Sequence, residues 1–403
     1  MDQDQAWLAP APKALQDVTV VELSTGVGGA YCTRLLAGLG AEVVKIEDSE
    51  VGTALHVQGS SESAIGALYH HLNSGKKSVS LNLESPSGQE VLEKLIGQAE
   101  IVVEDRSTRS LASVSLGYSS LAASNPRLVM TTITWFGQEG PFGDYEATDL
   151  ICLAMGGMLS TCGERGGRPT KVGGMQAQYL AGLNAAIATL AAQLHAEVSG
   201  KGQCISISVM ESVASAVEAP AIGFSCEGLI PQRQGNRHGH AYPMTVLPCK
   251  DGYVAVMLPT DSDWDLFSRL TGIVDLQDEK FHHSEDRLRL ADEIEAKLKP
   301  YLLERTREEL FTWAQELRLP FSMVLTPPEL LSDPQHVARG FFAHVEHPAE
   351  GRVLQVGGPF RMSGTPWHLH RAPLPGEHTH QVLSERLGLG DDELWALKQE
   401  RAI

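Results

Sequence analysis

The sequence predicts an α/β fold around a parallel sheet, because short strands alternate with helices through the first 135 residues. Two β-branched runs, "VTVVEL" (18–23) and "EVVKIE" (42–47), flank a glycine turn and the apolar-periodic helix "YCTRLLAGLGA". The pattern recurs as far as "RLVMTTITW" (127–135). Strands that alternate with helices favour a parallel sheet wound in the Rossmann manner, so we expect a large Rossmann-like domain.

The next elements repeat this order. "KKSVSLNL" (76–83) reads as a strand, and Ser85 with Pro86 opens the helix that leads to the strand "EIVVED" (100–105). Residues 180–198 carry apolar side chains spaced for one face of a helix, at Leu180, Leu183, Ile187, Leu190 and Leu194. A further strand and helix follow in "GQCISISVMESVASAVEA".

The pattern of predicted elements changes after about residue 225. "PQRQGNRHGHAYPMTVLPCKDGYVAVMLP" reads as turns and a hairpin, and mixed polar helices follow to about residue 325. We therefore expect residues 1–225 to form the N-terminal part of the large domain and residues 226–330 to form a smaller α+β domain. Residues 331–403 would then return to the large domain.

Composition excludes several classes of function. Asp and Glu number 50 against 32 Lys and Arg, and the net charge of −18 disfavours nucleic acid and anionic membranes as partners. The sequence has no apolar run of the roughly 18–20 residues that span a bilayer, and its start lacks a signal-peptide pattern, so a cytoplasmic protein is expected. Six scattered cysteines indicate reduced thiols and no metal site.

Three glycine- or lysine-bearing segments are candidate ligand sites. "STGVGGAY" (24–31) lies where a dinucleotide fingerprint would lie, but Tyr31 replaces the third small residue, so we expect a tight turn and no nicotinamide. Lys76 and Lys77 could contact a phosphate or be solvated. The glycine-rich residues 156–174 could form a mobile lid or an inert connector.

From about residue 14 to the C-terminus, the chain resembles the class III CoA-transferases, which include formyl-CoA transferase, carnitine CoA-transferase and the α-methylacyl-CoA racemases. The resemblance rests on segments such as "ELSTGVGGAYCTRLLAGLGAEVVKIE", "TDLICLAMGGMLSTCG", "GNRH" and "GEHTHQVL". It implies a large domain made from both chain ends, a small domain between them, two subunits interlocked like chain links, and CoA or acyl-CoA as substrate without a metal.

The resemblance also implies that the chain lacks its nucleophile. In the family's transferases an aspartate in the first turn of the helix after the glycine loop attacks the acyl-CoA thioester. The matching segment "VGGMQAQYLAG" places Gln178 at that position, and a neutral amide is a very poor nucleophile. The racemase branch needs a histidine where this chain has Thr148.

The resemblance assigns CoA binding to five positions. Lys76 matches the family's phosphate-contacting lysine, and Gly28 and Gly29 lie in the first βα turn, which cradles CoA. Asp105 and Arg106 stand where the family has asparagine and phenylalanine. Further departures from the family pattern fall at Thr25, Val27, Asp48 and Ser113. Added carboxylates and lost cations predict weakened CoA binding.

The leading hypothesis is a subunit of a heteromeric CoA-transferase whose homologous partner carries the catalytic aspartate. The pattern most resembles the aspartate-lacking subunit of succinyl-CoA:benzylsuccinate CoA-transferase, which implies succinyl-CoA as donor and an aryl-substituted succinate as acceptor. One alternative is a non-catalytic acyl-CoA binding protein. Another is a self-sufficient transferase with a relocated nucleophile among Asp144, Glu146, Asp149 and Cys152, although Asp149 could instead cap its own helix.

Overall fold

The computed structural model describes residues 12–48, 66–105, 117–239 and 241–403, apart from the side chains of Asp48 and residues 218–220. Contacts divide the chain into two compact units. The first contains the described residues up to Met158, together with Gly173–Ile222 and Gln335–Ile403. The second contains Leu159–Val172 and Gly223–Pro334. Residues 159–172, which the sequence places in the N-terminal part of the large domain, thus belong to the second unit.

The predicted α/β fold with a parallel sheet is confirmed. Six parallel strands lie in the order β3-β2-β1-β4-β5-β6. Their bounds are Thr19–Glu22, Glu42–Asp48, Lys77–Leu81, Ile101–Glu104, Val129–Thr134 and Cys204–Ser208 for β1 to β6. Strands β1, β4 and most of β5 are buried, as expected for a parallel sheet covered on both faces.

The described helices between β1 and β7 are α1 to α9, of which α6 and α9 each run from one unit into the other. The bounds of α1 to α9 are Val27–Gly38, Ala67–Leu72, Pro86–Gly97, Tyr118–Ser124, Asp149–Met155, Met158–Thr161, Gln176–Ser199, Val209–Ala216 and Glu218–Glu227. Helix α3 begins as the sequence predicts, since the Ser85 side chain accepts the N–H of Gly88 and Pro86 occupies the first turn. None of the described helices is long and apolar enough to cross a membrane.

The second unit is built on a small antiparallel sheet in the order β7-β8-β9, from Met244–Cys249, Gly252–Met257 and Phe321–Met323. Its helices α10 to α14 span Asp261–Leu270, Ser284–Arg289, Ala291–Leu303, Arg307–Glu316 and Pro327–Ser332. Trp264, Phe267 and Phe281 are buried in one apolar cluster between these helices and the sheet. The unit thus has a hydrophobic core of its own.

The C-terminal segment of the chain packs in the first unit. It contains α15 (Pro334–Ala338), the hairpin β10–β11 (Phe342–His347 and Gly351–Val356), α16 (Thr379–Leu387) and α17 (Asp391–Gln399). Val382 and Leu394 are buried in the same apolar cluster as Val21 of β1 and Leu92 of α3. Both ends of the chain therefore contribute to one core.

Helix α7 presents its apolar residues in an unexpected way. Six of its eight alanines, among them Ala181 and Ala185, are buried, and the helix packs on α1. Leu183, Ile187 and Leu194 of the predicted apolar face are instead 44%, 60% and 63% exposed. The close approach of α7 and α1 explains why the face with small side chains is the buried one. A Cβ added at Gly182 would lie 2.5 Å from the carbonyl oxygen of Gly28. Only small side chains fit between backbones at that separation.

We predict that Gly182→Ala lowers the free energy of unfolding by about 1–3 kcal/mol, because the added methyl group would separate α7 from α1. Urea unfolding followed by far-UV circular dichroism measures the change. Gly97→Ala is the matched control, since a Cβ at helical Gly97 meets no atom within 4 Å. That control should leave stability unchanged or raise it by up to about 1 kcal/mol. Equal losses in the two variants would contradict the packing argument.

Candidate functional site

The candidate site lies at the carboxyl edge of the parallel sheet, where β1 leads through Ser24, Thr25 and Gly26 into α1. Ligands of open α/β folds bind at this edge, and a helix N-terminus presents unpaired backbone N–H groups to anions. Gly26 is the N-cap of α1 and makes no side-chain cap. Backbone N–H groups of this turn are therefore the donors that a phosphate would be expected to meet.

Asp105 binds two of these donors. It follows β4, the strand beside β1, and its Oδ1 accepts the N–H of Thr25 at 2.7 Å while Oδ2 accepts the N–H of Gly26 at 2.6 Å. Burial raises the pKa of the Asp105 carboxyl, and the two N–H groups oppose that shift. A carboxylate at a helix N-terminus is stabilised by the helix dipole, so Asp105 occupies the place of an anionic ligand's charge.

Gln178 lies in the first turn of α7 and reaches the same turn. Its Oε1 accepts the N–H of Val27 at 3.1 Å, and its Nε2 lies 3.7 Å from the sulfur of Met175. The structure thus brings the position predicted for the nucleophile next to the turn predicted to cradle CoA. At that position the side chain links the N-termini of two helices, and its oxygen is a neutral acceptor.

Asp149 contacts Gln178 directly. Thr148, not Asp149, is the N-cap of α5, so the prediction that Asp149 caps its own helix is wrong. Its Oδ1 instead accepts the backbone N–H of Gln178 at 3.1 Å, and this satisfies a donor in the first turn of α7. Its Oδ2 is buried and has no hydrogen-bond partner among the described residues.

The other candidates for a relocated nucleophile are less suited to that role. Asp144 and Glu146 are exposed side chains. The Cys152 thiol is buried and points to the carbonyl oxygen of Trp135, with 3.6 Å between sulfur and oxygen. Burial and the nearby Asp149 raise the pKa of Cys152 to about 12, so it stays protonated near neutral pH and is a weak nucleophile.

Packing explains Gly29 of the turn, whereas a side chain at Gly28 would meet its neighbours at ordinary van der Waals distance. A Cβ added at Gly29 would lie 2.3 Å from the Cβ of Ser24, and one added at Gly28 would lie 3.4 Å from the carbonyl oxygen of Gln178. Gly29 therefore lets α1 begin close against the turn, and Gly28 faces the backbone of α7. Their predicted contact with CoA stays a prediction.

Lys76, the predicted phosphate contact, lies in a buried charged cluster that the sequence did not predict. Its Nζ contacts Oε2 of Glu22 at 2.8 Å, the carbonyl oxygen of Ala30 at 2.9 Å and Oδ1 of Asn73 at 3.1 Å. An ammonium group has three protons, and these acceptors engage all of them. A contact between Lys76 and a phosphate stays a prediction and requires Nζ to leave at least one partner.

Glu22 is the centre of this cluster, which we name the Glu22 cluster and which also contains Lys45 and Lys76. Its Oε1 accepts Lys45 Nζ at 2.9 Å and the Ser24 hydroxyl at 2.6 Å, while Oε2 also accepts the Thr33 hydroxyl at 2.7 Å. Burial by itself raises the pKa of Glu22, but the ammonium groups of Lys45 and Lys76 and the Ser24 hydroxyl lower it to about 2. One signal in the sequence could have revealed this cluster: the apolar runs of β1 and β2 each contain a charged residue, Glu22 in β1 and Lys45 in β2.

Several predicted positions cannot be placed. Arg106, Ser113 and the side chain of Asp48 lie outside the described residues. Among the residues that are described, no group of three or more His, Cys, Asp or Glu side chains is arranged to hold a metal ion.

Comparison with known proteins gives a consistent set of relatives. The family model described as CoA-transferase family III matches residues 15–379. The chain is 31% identical to a succinate–glutarate CoA-transferase of Agrobacterium fabrum, with 92% of this chain and 95% of the relative covered. It is 30% identical to a succinyl-CoA–D-citramalate CoA-transferase of Chloroflexus aurantiacus, with 97% and 98% covered.

A third relative and a solved structure agree with these. The succinyl-CoA:mesaconate CoA-transferase of Haloarcula marismortui is 32% identical, with 92% of this chain and 96% of the relative covered. A CAIB/BAIF family protein from Brucella suis superposes with a TM-score of 0.86 at 28% identity, covering 93% of this chain and 99% of that chain.

We predict that Glu22→Gln costs about 3–5 kcal/mol of unfolding free energy, because it leaves two buried ammonium groups without a carboxylate. Lys76→Met is the matched variant and should cost less, since Glu22 keeps Lys45 as partner. Urea unfolding at pH 7 compares them, and an equal cost would contradict the assigned central role of Glu22.

In the wild type the stabilisation by Glu22 is complete above its unfolded pKa of about 4.5 and should be lost as pH falls toward 2.

Proposed function

The chain belongs to CoA-transferase family III, and we propose that it is the non-nucleophilic subunit of a heteromeric CoA-transferase. In this proposal a homologous partner subunit carries the catalytic aspartate. The enzyme moves CoA from a dicarboxylate thioester to a carboxylic acid.

The amide at residue 178 carries the proposal. Transfer through an enzyme carboxylate begins when a carboxylate oxygen attacks the thioester carbonyl, which forms an anhydride as the CoA thiolate leaves. The thiolate then attacks the enzyme's acyl carbon, which forms an enzyme-bound thioester and releases the first acid. Gln178 has no anionic oxygen for the first step, and its Oε1 is already an acceptor for Val27 N–H at 3.1 Å.

Asp105 also supports the proposal that the partner subunit, and not this chain, carries out the transfer. Its carboxylate holds the N–H groups of Thr25 and Gly26, and a negative charge at this place repels the phosphates of CoA. With these donors occupied, we infer that productive CoA binding takes place in the partner's pocket. The role of this chain is then to complete the assembly and to shape that pocket.

The exposed face of α7 supports a protein partner. Leu183, Ile187, Leu194 and Val198 are exposed by 44% to 84%, and half-buried Leu190 lies between them on the same face. The neighbouring helix α5 adds exposed Leu150, Ile151 and Met155. A contiguous exposed apolar surface of this kind usually marks an interaction site. We propose that it is buried against the homologous subunit, in keeping with the interlocked assembly that the family resemblance implies.

The substrate proposal rests on the relatives. All three are named for transfer that involves succinate or succinyl-CoA, so we propose succinyl-CoA as the donor. For the acceptor we retain an aryl-substituted succinate, which follows from the resemblance to the aspartate-lacking subunit of benzylsuccinate CoA-transferase.

Asp149 supports a second candidate function, a self-sufficient transferase with a relocated nucleophile. Its Oδ2 is buried and has no partner in the described parts of the chain, and its Oδ1 lies 3.1 Å from the backbone nitrogen of Gln178. Incubation of the isolated chain with succinyl-CoA and hydroxylamine, followed by peptide mass spectrometry, tests it. A hydroxamate on Asp149 would support this candidate over the heteromeric one, and an unmodified Asp149 would count against it.

We predict that the isolated chain does not transfer CoA and that Gln178→Asp leaves it inactive, because Asp105 still occupies the anion-binding turn. Thioester exchange between succinyl-CoA and a panel of carboxylic acids, followed by chromatography, measures this. Turnover by the wild-type chain alone would refute the proposal. Turnover by the Gln178→Asp variant alone would show that the rest of its site is competent.

We predict that co-expression with a family member bearing the aspartate gives a stable, active complex. Replacing the partner's aspartate by asparagine should abolish turnover, because that change removes the nucleophile.

Ile187→Asp in this chain should weaken the complex at least about tenfold, since it places an unpaired carboxylate in an apolar interface. Val274→Asp is the control, because Val274 is 77% exposed and lies in the second unit. Co-purification and analytical ultracentrifugation measure both, and equal behaviour of the two variants would contradict the interface.

A further inference from the structure

A cavity of about 690 Å³ lies in the first unit, away from the candidate site. It is formed by the end of α15, the hairpin β10–β11 and the segment 357–369 that follows β11. Trp367 lies against Gly38, the last residue of α1, whereas the candidate site lies at the first turn of the same helix. A helix of twelve residues spans about 18 Å, so the two sites are distinct.

The charge of the cavity is positive in a strongly acidic chain. Arg339 and Arg361 line it, and its described lining residues include no Asp or Glu. Arg361 Nη2 donates to the backbone oxygen of Arg339, which holds the two residues together. Guanidinium groups suit carboxylates because their N–H groups match the two carboxylate oxygens. On a chain with a net charge of −18, this local pair of cations favours an anion.

The apolar part of the cavity is aromatic and firmly held. Phe360 and Trp367 meet edge to face with ring centroids 5.6 Å apart, and Phe341 also lines the cavity. A Cβ on Gly38 or Gly358 would lie 2.1 Å or 2.5 Å from atoms of the Trp367 ring. The indole is thus packed against two backbones that only glycine permits. Such a fixed aromatic wall suits a flat ring, which needs no rearrangement to stack or pack edge-on.

Two polar atoms of the cavity-lining residues have no hydrogen bond. Trp367 Nε1 and His368 Nε2 are buried and lack a partner within the described part of the chain. Because both atoms are closed to solvent, the polar contacts of a ligand in the cavity come from the arginines. Burial, Lys13 and His370 lower the pKa of His368, so its ring is neutral at pH 7 and the positive charge of the cavity comes from the arginines.

We propose that this cavity binds a small carboxylate with a flat aromatic body. The carboxylate lies at Arg339 and Arg361, and the ring lies among Phe341, Phe360 and Trp367. The volume is within the usual range of small-molecule sites. The site is separate from the transfer chemistry proposed above and does not depend on it.

Calorimetric titration of the full chain with 2-naphthoate tests the proposal. We expect one binding site per chain, unaffected by saturating CoA, and at least about tenfold weaker binding of the neutral analogue 2-naphthalenemethanol. Arg339→Gln should weaken naphthoate binding at least about tenfold, while its carbonyl oxygen remains available to Arg361. Arg339→Lys should recover part of the affinity, and Trp367→Leu should weaken binding several-fold by removing one ring of the aromatic wall.

Arg352→Gln is the matched control, because Arg352 is an exposed arginine of β11 that does not line the cavity. It should leave the dissociation constant within twofold of the wild type. The proposal is overturned if naphthoate does not bind, if the neutral analogue binds equally well, or if CoA displaces naphthoate. It is also overturned if Arg339→Gln, folded by circular dichroism, binds as tightly as Arg352→Gln.

Discussion

The geometry of the candidate site depends on a single carboxylate that water does not reach. The partners of Glu22 are Lys45 from β2, Lys76 directly before β3, Ser24 from the first turn and Thr33 from α1. A buried ion is tolerated only when its partners satisfy it, so these four groups hold their positions together. Lys45 also donates to the carbonyl oxygen of Ser24 at 2.9 Å, which fixes the turn from which α1 begins.

Side chains of the protein itself bind the backbone N–H groups of the turn between β1 and α1. Asp105 directly follows β4 and Gln178 lies in α7, more than seventy residues apart along the chain, and their oxygens accept the N–H groups of Thr25, Gly26 and Val27. The arrangement is stable because a carboxylate at a helix N-terminus complements the helix dipole. The same stability works against a competing phosphate, which would have to displace Asp105. This arrangement is the basis of our proposal that the chain supports a catalytic partner.

The long helix α7 connects this site to the proposed partner surface. Its alanine face meets α1 at a distance that Gly182 permits, which brings Gln178 to the turn. Its leucine and isoleucine face is left exposed. Two faces with different side-chain volumes thus serve two different contacts, one within the subunit and one proposed between subunits.

The sequence alone determined the alternation of strands and helices and the start of α3 after Ser85, and it predicted that Gln178 stands where the family has a carboxylate. These follow from local signals, namely period, capping chemistry and residue identity at an aligned position. It did not determine which face of α7 is buried, because helical periodicity shows that a face is apolar but not what covers it. It could not reveal that Asp105 would close the turn, that Asp149 would cap α7 instead of α5, or that Lys76 would be bound to Glu22. Those outcomes depend on which strand ends and helix ends are neighbours in space, and only the tertiary structure decides that, because contacts between distant residues leave no periodic trace in the chain.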